Sequence, residues 1–175
     1  MNDEDLIRSA FHGVMAPYET HRPVLCEAVL RTSGPILELG AGSGSTYALH
    51  AASKIMKRRL LTLEGNAEWA KRFLYLRSEL HEIEHDPGWK RCDDPDFRQS
   101  RWSLAFVDHA PAERRIDDIA WLASRADVVV IHDTEDPTYR YELVFPLFKH
   151  VNNHSAYPQW TSVLSNVVDV TTWTF

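Results

Sequence analysis

Three glycines, Gly40, Gly42 and Gly44, alternate with small residues in the stretch ELGAGSGST at residues 38–46. An apolar run at residues 35–39 precedes them and predicts a strand, and residues 45–52 predict a helix. A strand that turns through glycines into a helix lets a ligand approach the backbone at the edge of a sheet. We therefore expect a ligand at this turn.

A carboxylate, Glu64, ends the next predicted strand at residues 59–64 and stands twenty residues after Gly44. An acid in that place can accept hydrogen bonds from both hydroxyls of a ribose. The dinucleotide-binding pattern requires a third glycine three residues after the second, and here Ser45 occupies that position. The residues thus favour a nucleoside-like ligand other than NAD.

Two aspartates follow two further predicted strands, Asp108 after residues 103–107 and Asp133 after the β-branched run at 127–131. The carboxyl ends of parallel strands meet at one edge of a sheet, so these acids should lie together. Acids at the carboxyl ends of parallel strands can orient a substrate through hydrogen bonds alone. His132 is a candidate transition-metal ligand or a packed, hydrogen-bonded residue.

Together, the glycine stretch and Glu64 resemble the first two motifs of the class I S-adenosylmethionine-dependent methyltransferases. In that family an acid and alternating glycines follow the first strand, and the second strand ends in an acid. The resemblance implies S-adenosylmethionine as cofactor, with its methionine half against the glycine turn and its ribose on Glu64. The residues assigned to the cofactor are Glu38, Gly40, Gly42, Gly44, Ser45, Glu64, His85, Asp86, Asp108 and His109, with Trp89 beside the adenine.

The sequences FVDH at 106–109 and VIHDT at 130–134 resemble, more narrowly, the two metal-binding strand ends of catechol-type O-methyltransferases. The resemblance implies that Asp108, Asp133 and Thr134 bind Mg²⁺ or another divalent cation, which would orient the acceptor hydroxyl and lower its pKa. It also implies that Asp108, His109 and Asp133 act in catalysis, with His109 either a general base or a contact to the adenine. Thr134 replaces a common asparagine and Pro111 replaces the catalytic lysine of the catechol enzymes, so catechol itself is not the expected substrate.

The elements that must position these residues alternate between strand and helix, which predicts a doubly wound, mostly parallel α/β sheet. The resembling family implies a Rossmann-like form of it with a C-terminal antiparallel hairpin. We expect one domain over residues 1–175, with N-terminal helices in 1–33 and the core in 34–175. The remaining predicted elements are helices at 5–11, 24–29, 67–76, 115–124 and 142–150, a weak strand at 80–85, a long loop at 86–99, and hairpin strands at 160–164 and 167–174.

Two further groups of side chains are candidates by position. Tyr139, Arg140 and Tyr141 follow the fifth strand, where they would line a substrate pocket or form a solvated loop. Tyr18 and His21 precede the first strand, and the resemblance implies that they would cover the cofactor. For Tyr18 and His21 the alternative, that they are ordinary surface residues, is favoured.

Composition excludes several classes of protein. The 175 residues are 44% hydrophobic and 25% charged, which is typical of a folded core. The formal net charge of -6 gives no broad attraction for nucleic acid or anionic membranes. Cys26 and Cys92 show neither zinc-site nor disulfide spacing. The acidic N-terminus and the lack of an apolar run of about 18 residues favour a cytoplasmic protein outside the membrane.

The sequence thus predicts an enzyme that transfers the methyl group of S-adenosylmethionine to an oxygen of a small molecule or sugar. Because the chain is short for the resembling family, residues 86–99 or a second subunit of a homodimer would complete the acceptor site. The alternative is a non-catalytic or regulatory protein that binds the cofactor on the same fold. Pro111 and Thr134 favour that alternative.

Overall fold

The computed structural model describes residues 1–13 and 16–175, and its centre is a seven-stranded sheet. The strands are β1 (Ile36–Leu39), β2 (Leu60–Glu64), β3 (His81–His85), β4 (Trp102–Val107), β5 (Ala126–His132), β6 (His150–His154) and β7 (Thr161–Ser165). Their order in the sheet is β3-β2-β1-β4-β5-β7-β6. Strands β1 to β5 are parallel, and β7 is antiparallel to both β5 and β6. The predicted fold class is confirmed.

The strand order reverses between β1 and β4, which places a crevice at their carboxyl ends. The chain runs outward from β1 to β3 and then returns to β4 on the other side of β1. Leu39 pairs with Val107 in register, so the glycine turn and Asp108 leave neighbouring strands side by side. Ligands of open α/β sheets bind at such a reversal point.

Helices cover both faces of the sheet. The helices are α1 (Asp3–Phe11), α2 (Arg22–Leu30), α3 (Thr46–Met56), α4 (Ala67–Lys71), α5 (Lys90–Asp93) and α6 (Arg115–Leu122). Side chains of α1, α2 and α3 pack with Phe106 and Val130 on one face, and those of α6 pack with Val107 and Ile131 on the other. Because both faces are buried, β4 and β5 are continuous apolar runs without polar alternation. None of the helices in the described residues is both long and apolar enough to cross a membrane.

The predicted strand at 160–164 is confirmed as β7, but the predicted helix at 142–150 and the predicted strand at 167–174 were wrong. Residues 142–150 do not form a helix; short 3₁₀ turns at Tyr141–Leu143 and Phe145–Leu147 lead into β6. Pro146 lies inside the predicted helix, where it lacks the N–H that a helix interior requires. The antiparallel hairpin pairs β7 with β6, whereas residues 167–174 contain a 3₁₀ turn at Val170–Thr172. Strand β6 is a mostly polar edge strand, HVNNH, so no apolar pattern marked it.

Two other predicted segments differ in detail. The helix predicted at 67–76 ends at Lys71 and is followed by a 3₁₀ turn at Leu74–Leu76. The loop predicted at 86–99 contains α5 between 3₁₀ turns at Pro87–Trp89 and Phe97–Gln99. Elements this short lie below the length at which hydrophobic periodicity is informative.

Candidate functional site

The glycine turn after β1 is shaped by close approach of other chain segments. Gly40 has a φ of +95°, and a Cβ added there would lie 2.5 Å from the carbonyl oxygen of Asp108. Glycine alone satisfies both conditions without strain. A Cβ added at Gly44 would lie 2.8 Å from Cγ of Glu19 and 3.1 Å from Nε2 of His21. The turn is therefore enclosed between the end of β4 and the segment before α2.

Glu38 lies beneath this turn and is fully buried. Its carboxylate accepts hydrogen bonds from the hydroxyls of Thr46 at 3.0 Å and Thr62 at 2.7 Å. Burial raises the pKa of Glu38 to about 7, although hydrogen bonds from Ser45, Thr62 and Thr46 oppose the rise. Glu38 and the buried Ser45 thus support the turn from inside, and direct contact of either with a cofactor stays a prediction.

Glu64 at the end of β2 is fixed against the same turn. Its Oε2 accepts a hydrogen bond from the backbone N–H of Ala41 at 2.9 Å, and its Oε1 accepts one from Asn66 at 2.8 Å. Each carboxylate oxygen can accept a further hydrogen bond. The predicted ribose acceptor and the glycine turn therefore form one hydrogen-bonded unit.

Asp108 and Asp133, at the ends of β4 and β5, are bridged by a buried arginine from the start of α6. Arg115 Nη2 donates to Asp108 Oδ1 at 2.8 Å, and Nη1 lies 3.4 Å from Asp133 Oδ2. Burial disfavours the guanidinium charge, but Asp108 and the hydroxyls of Tyr141 and Tyr139 raise the pKa of Arg115 above its ordinary value. A fixed positive charge thus lies between the two acids that were predicted to bind a metal.

His132 also faces these two acids, and His21 packs against the ring of His132. His132 Nδ1 lies 3.4 Å from Asp108 Oδ2 and 3.5 Å from Asp133 Oδ1. Burial opposes its protonation, but Asp108 and Asp133 raise the pKa of His132. The rings of His21 and His132 have centroids 4.8 Å apart in an edge-on arrangement. Burial lowers the pKa of His21 to about 3, so this ring is neutral.

Comparison with family models and with curated proteins finds no match. Comparison with solved structures finds the N-terminal domain of EvdMO1 with SAH bound, at a TM-score of 0.62 and 14% identity, covering 87% of this chain and 82% of that one. An O-methyltransferase from Bacillus cereus in complex with SAH has a TM-score of 0.61 and 11% identity, with 93% and 90% covered. An rRNA methylase from Streptococcus thermophilus has a TM-score of 0.61 and 11% identity, with 90% and 100% covered.

This chain has the class I methyltransferase fold. The structural similarity extends over most of each chain. The order of the seven strands is the feature on which the fold assignment depends. The proteins compared include an O-methyltransferase and an rRNA methylase, so this methyltransferase fold accommodates different acceptors.

In this methyltransferase fold, the predicted adenine side lies beyond Glu64. His85 is exposed, with Nε2 3.1 Å from Gly65 O, and the Asp86 carboxylate accepts the backbone N–H of Arg91 at 3.0 Å. Trp89 is buried, and its Nε1 donates to Ala110 O at 2.9 Å. Asp86 therefore orients α5, and contact of these residues with an adenine stays a prediction.

His109 follows Asp108 but is enclosed by other side chains. Its Nε2 lies 2.9 Å from Asp118 Oδ2, and Arg114 Nε donates to the same oxygen at 2.9 Å. Its ring packs against Trp89, with centroids 4.3 Å apart. Both His109 and Asp118 side chains are inaccessible to solvent. His109 is thus a packed residue that supports the crevice from below. Its role as a general base stays a prediction.

The predicted third metal ligand, Thr134, contacts neither acid in the described hydrogen bonds; its Oγ1 accepts a hydrogen bond from Ser162 at 2.9 Å.

The three residues after the fifth strand differ in their positions. Tyr139 OH lies 3.3 Å from Asp133 Oδ2, whereas Tyr141 is buried and donates to His132 O at 3.1 Å. Arg140 is exposed. Of the three residues 139–141, Tyr139 is therefore placed at the acids.

Sequence reasoning missed Arg115, Thr20 and the burial of His21. Tyr18 is 68% exposed, as expected for a surface residue, but His21 is 3% exposed, so its assignment to the surface was wrong. Thr20 Oγ1 lies 2.9 Å from His132 Nε2. The contacts of Thr20 and His21 with His132 join segments more than a hundred residues apart, so local spacing carried no signal for them.

Proposed function

We propose that this protein transfers the sulfonium methyl group of S-adenosylmethionine to an oxygen of a small molecule or sugar. The observation that carries the proposal is the hydrogen bond from the Ala41 N–H to Glu64 Oε2. It joins the glycine turn and the ribose acceptor into one preformed surface at the reversal point of a methyltransferase fold. The SAH bound to two proteins of similar fold supports the choice of cofactor.

The chain's own residues would act mainly by positioning. The glycine turn would take the methionine half of the cofactor, and Glu64 would hold the ribose hydroxyls through its free acceptor sites. The strand ends of β4 and β5 would hold the acceptor, whose oxygen would receive the methyl group that the cofactor supplies, leaving the demethylated cofactor as the second product. Holding two reactants in that geometry accounts for a large part of the barrier reduction in such transfers.

The predicted magnesium site does not fit the residues that surround it. Arg115 already pairs with Asp108 and reaches Asp133, and Thr134 is bonded to Ser162. Mg²⁺ requires oxygen ligands in a near-octahedral arrangement, and the side chains of Asp108, Asp133 and Thr134 do not present their oxygens together in this way. We therefore assign Asp108, Asp133 and Tyr139 to the acceptor side of the crevice, where they would hold the acceptor by hydrogen bonds.

The proposal also covers the class of acceptor, the cellular location and the oligomeric state. A net charge of -6 disfavours a nucleic-acid acceptor and supports a small one. We propose a cytoplasmic enzyme, with a second copy of the chain completing the acceptor site in a homodimer.

The test is calorimetric titration of the purified protein with S-adenosylmethionine and with its demethylated product. We expect 1:1 binding that Glu64→Ala weakens by about tenfold or more, because hydrogen bonds to a charged group contribute roughly 1.5–3 kcal/mol. Glu68→Ala is the matched control, since the Glu68 side chain is 80% exposed on α4. Absence of binding to the wild type, or equal binding by Glu64→Ala, would contradict the cofactor site.

An acceptor screen with radiolabelled methyl donor then tests the chemistry. Transfer to hydroxyl compounds that falls in Asp133→Asn while cofactor affinity is kept would support the acceptor assignment. Cofactor binding without transfer to any acceptor would instead favour a non-catalytic cofactor-binding protein.

A further inference from the structure

Three potential metal ligands from distant parts of the chain converge beside the glycine turn. They are His21 from the segment before α2, Asp108 at the end of β4 and His132 at the end of β5. One ligand atom of each lies within 4.8 Å of those of the other two. His21 and His132 are buried, and the Asp108 side chain is 23% exposed. The group is therefore protected yet open to the crevice on one side.

The hydrogen bonds of Thr20 fix the tautomer of His132. Thr20 Oγ1 donates its one proton to the carbonyl oxygen of Gln159 at 2.8 Å, so it must accept from His132 Nε2–H at 2.9 Å. In the neutral ring, Nδ1 then carries a lone pair, and it faces Asp108 Oδ2 at 3.4 Å and Asp133 Oδ1 at 3.5 Å. This arrangement favours a positive charge between the three atoms, which is either a proton on Nδ1 or a metal ion that replaces that proton.

His21 lacks any hydrogen bond that would explain its burial. Its Nδ1 and Nε2 are both buried without a hydrogen-bond partner among residues 1–13 and 16–175. Buried polar atoms without hydrogen-bond partners are rare and destabilising. Packing alone therefore does not explain why the ring of His21 is buried with both nitrogens unpaired. Coordination of a metal would satisfy one of the two nitrogens.

We infer that His21, Asp108 and His132 form a binding site for a divalent transition metal such as Zn²⁺, Fe²⁺ or Co²⁺. Two imidazoles with one carboxylate suit these ions and not Mg²⁺, which prefers oxygen ligands. Metal–ligand bonds of about 2.1 Å place neighbouring ligand atoms roughly 3.0–3.4 Å apart. The Asp108–His132 separation of 3.4 Å already meets that spacing.

The neighbours of these ligands are arranged as metal sites require. Arg115 holds Asp108 Oδ1 at 2.8 Å and leaves Oδ2 for the ion. Thr20 holds the outer nitrogen of His132, which fixes the ring orientation. The ion would stand between Gly44 of the glycine turn and the ends of β4 and β5, where it would bind and polarise an acceptor hydroxyl. That catalytic use rests on the proposed function, whereas the binding of the ion does not.

Titration with Co²⁺ tests the site, because cobalt bound by imidazole absorbs visible light in bands that report its ligands. The protein is stripped with EDTA, dialysed and titrated while absorbance is recorded. We expect one Co²⁺ per chain, displaced by Zn²⁺ and unaffected by excess Mg²⁺. His21→Ala and His132→Gln should weaken the affinity roughly 100-fold or more, since even outer partners of metal ligands change affinity 10–100-fold.

Matched controls separate loss of ligands from loss of fold. His12→Ala removes an exposed histidine from the same N-terminal region and should bind Co²⁺ as the wild type does. Circular dichroism confirms folding of each variant, and Asp108→Asn, which keeps the shape of the side chain, gives a third ligand test. The inference is overturned if wild type binds no Co²⁺ or Zn²⁺, or if His21→Ala and His132→Gln bind as tightly as His12→Ala. S-adenosylmethionine titrations of the same samples report the cofactor site independently.

Discussion

Arg115 donates a hydrogen bond of 2.8 Å to Asp108, and the guanidinium is only 6% exposed. Arg115 Nε also donates to the carbonyl oxygen of His109 at 2.6 Å, so the side chain ties α6 to the end of β4. Burial opposes the charge on Asp108, but His132 and Arg115 lower the pKa of that carboxyl, so Asp108 remains ionised. The predicted role of Asp108 thus depends on a residue that follows it in the chain.

We expect Arg115→Met to destabilise the fold by about 3 kcal/mol, because removing one partner of a buried ion pair leaves an uncompensated charge. Urea denaturation at neutral pH measures the free energy of unfolding. Arg140→Met, at an exposed arginine that follows Tyr139 in the chain, is the control and should change the free energy of unfolding by less than about 0.5 kcal/mol. Similar values for the two variants would contradict the importance of the bridge.

The raised pKa of Glu38 predicts that the free energy of unfolding depends on pH. Burial raises its pKa from 4.5 to about 7, so between those values the folded chain holds a proton that the unfolded chain releases. The free energy of unfolding should therefore fall as the pH rises from about 4.5 to 7, by roughly 3 kcal/mol from this group.

Glu38→Gln removes the titration and should flatten that pH dependence while raising stability at pH 8. Denaturant titrations at several pH values compare it with the wild type and with Glu68→Gln, whose side chain is 80% exposed. A slope in Glu38→Gln equal to that of Glu68→Gln would show that Glu38 is ionised throughout.

The close approach at Gly40 predicts a strong effect of one methyl group. Gly40→Ala places a Cβ 2.5 Å from Asp108 O at a φ of +95°, so both the turn and the end of β4 must move. Gly88→Ala is a matched control, because Gly88 has a φ of +72° and no atom within 4 Å of the added Cβ. The control should cost about 1–2 kcal/mol of backbone strain, and Gly40→Ala clearly more. Equal shifts in Tm would mean that the contact with Asp108 relaxes freely.

The sequence predicted four of the five parallel strands because each contains a short apolar run next to a helix or turn signal, whereas β3, HEIEH, was predicted only as a weak strand. It also placed Glu64, Asp108 and Asp133 at one edge, since acids that follow parallel strands must meet there. It did not predict β6, which is a polar edge strand without periodicity. The contacts of Arg115 with Asp133 and of Thr20 with His132 depend on tertiary packing, which no local pattern encodes.

Thr20 provides a test of the proposed metal site that leaves every ligand in place. Thr20→Val keeps the volume of the side chain but removes the oxygen that accepts from His132 Nε2–H, so the ring can turn or change tautomer. We expect Co²⁺ affinity to fall about 10–100-fold. Thr20→Ser restores the oxygen and should restore the affinity and the visible spectrum, although it also loses a methyl group from the packing. Because a purely structural role of Thr20 would change stability without changing the cobalt spectrum, equal cobalt affinity in Thr20→Val and wild type would contradict the tautomer argument.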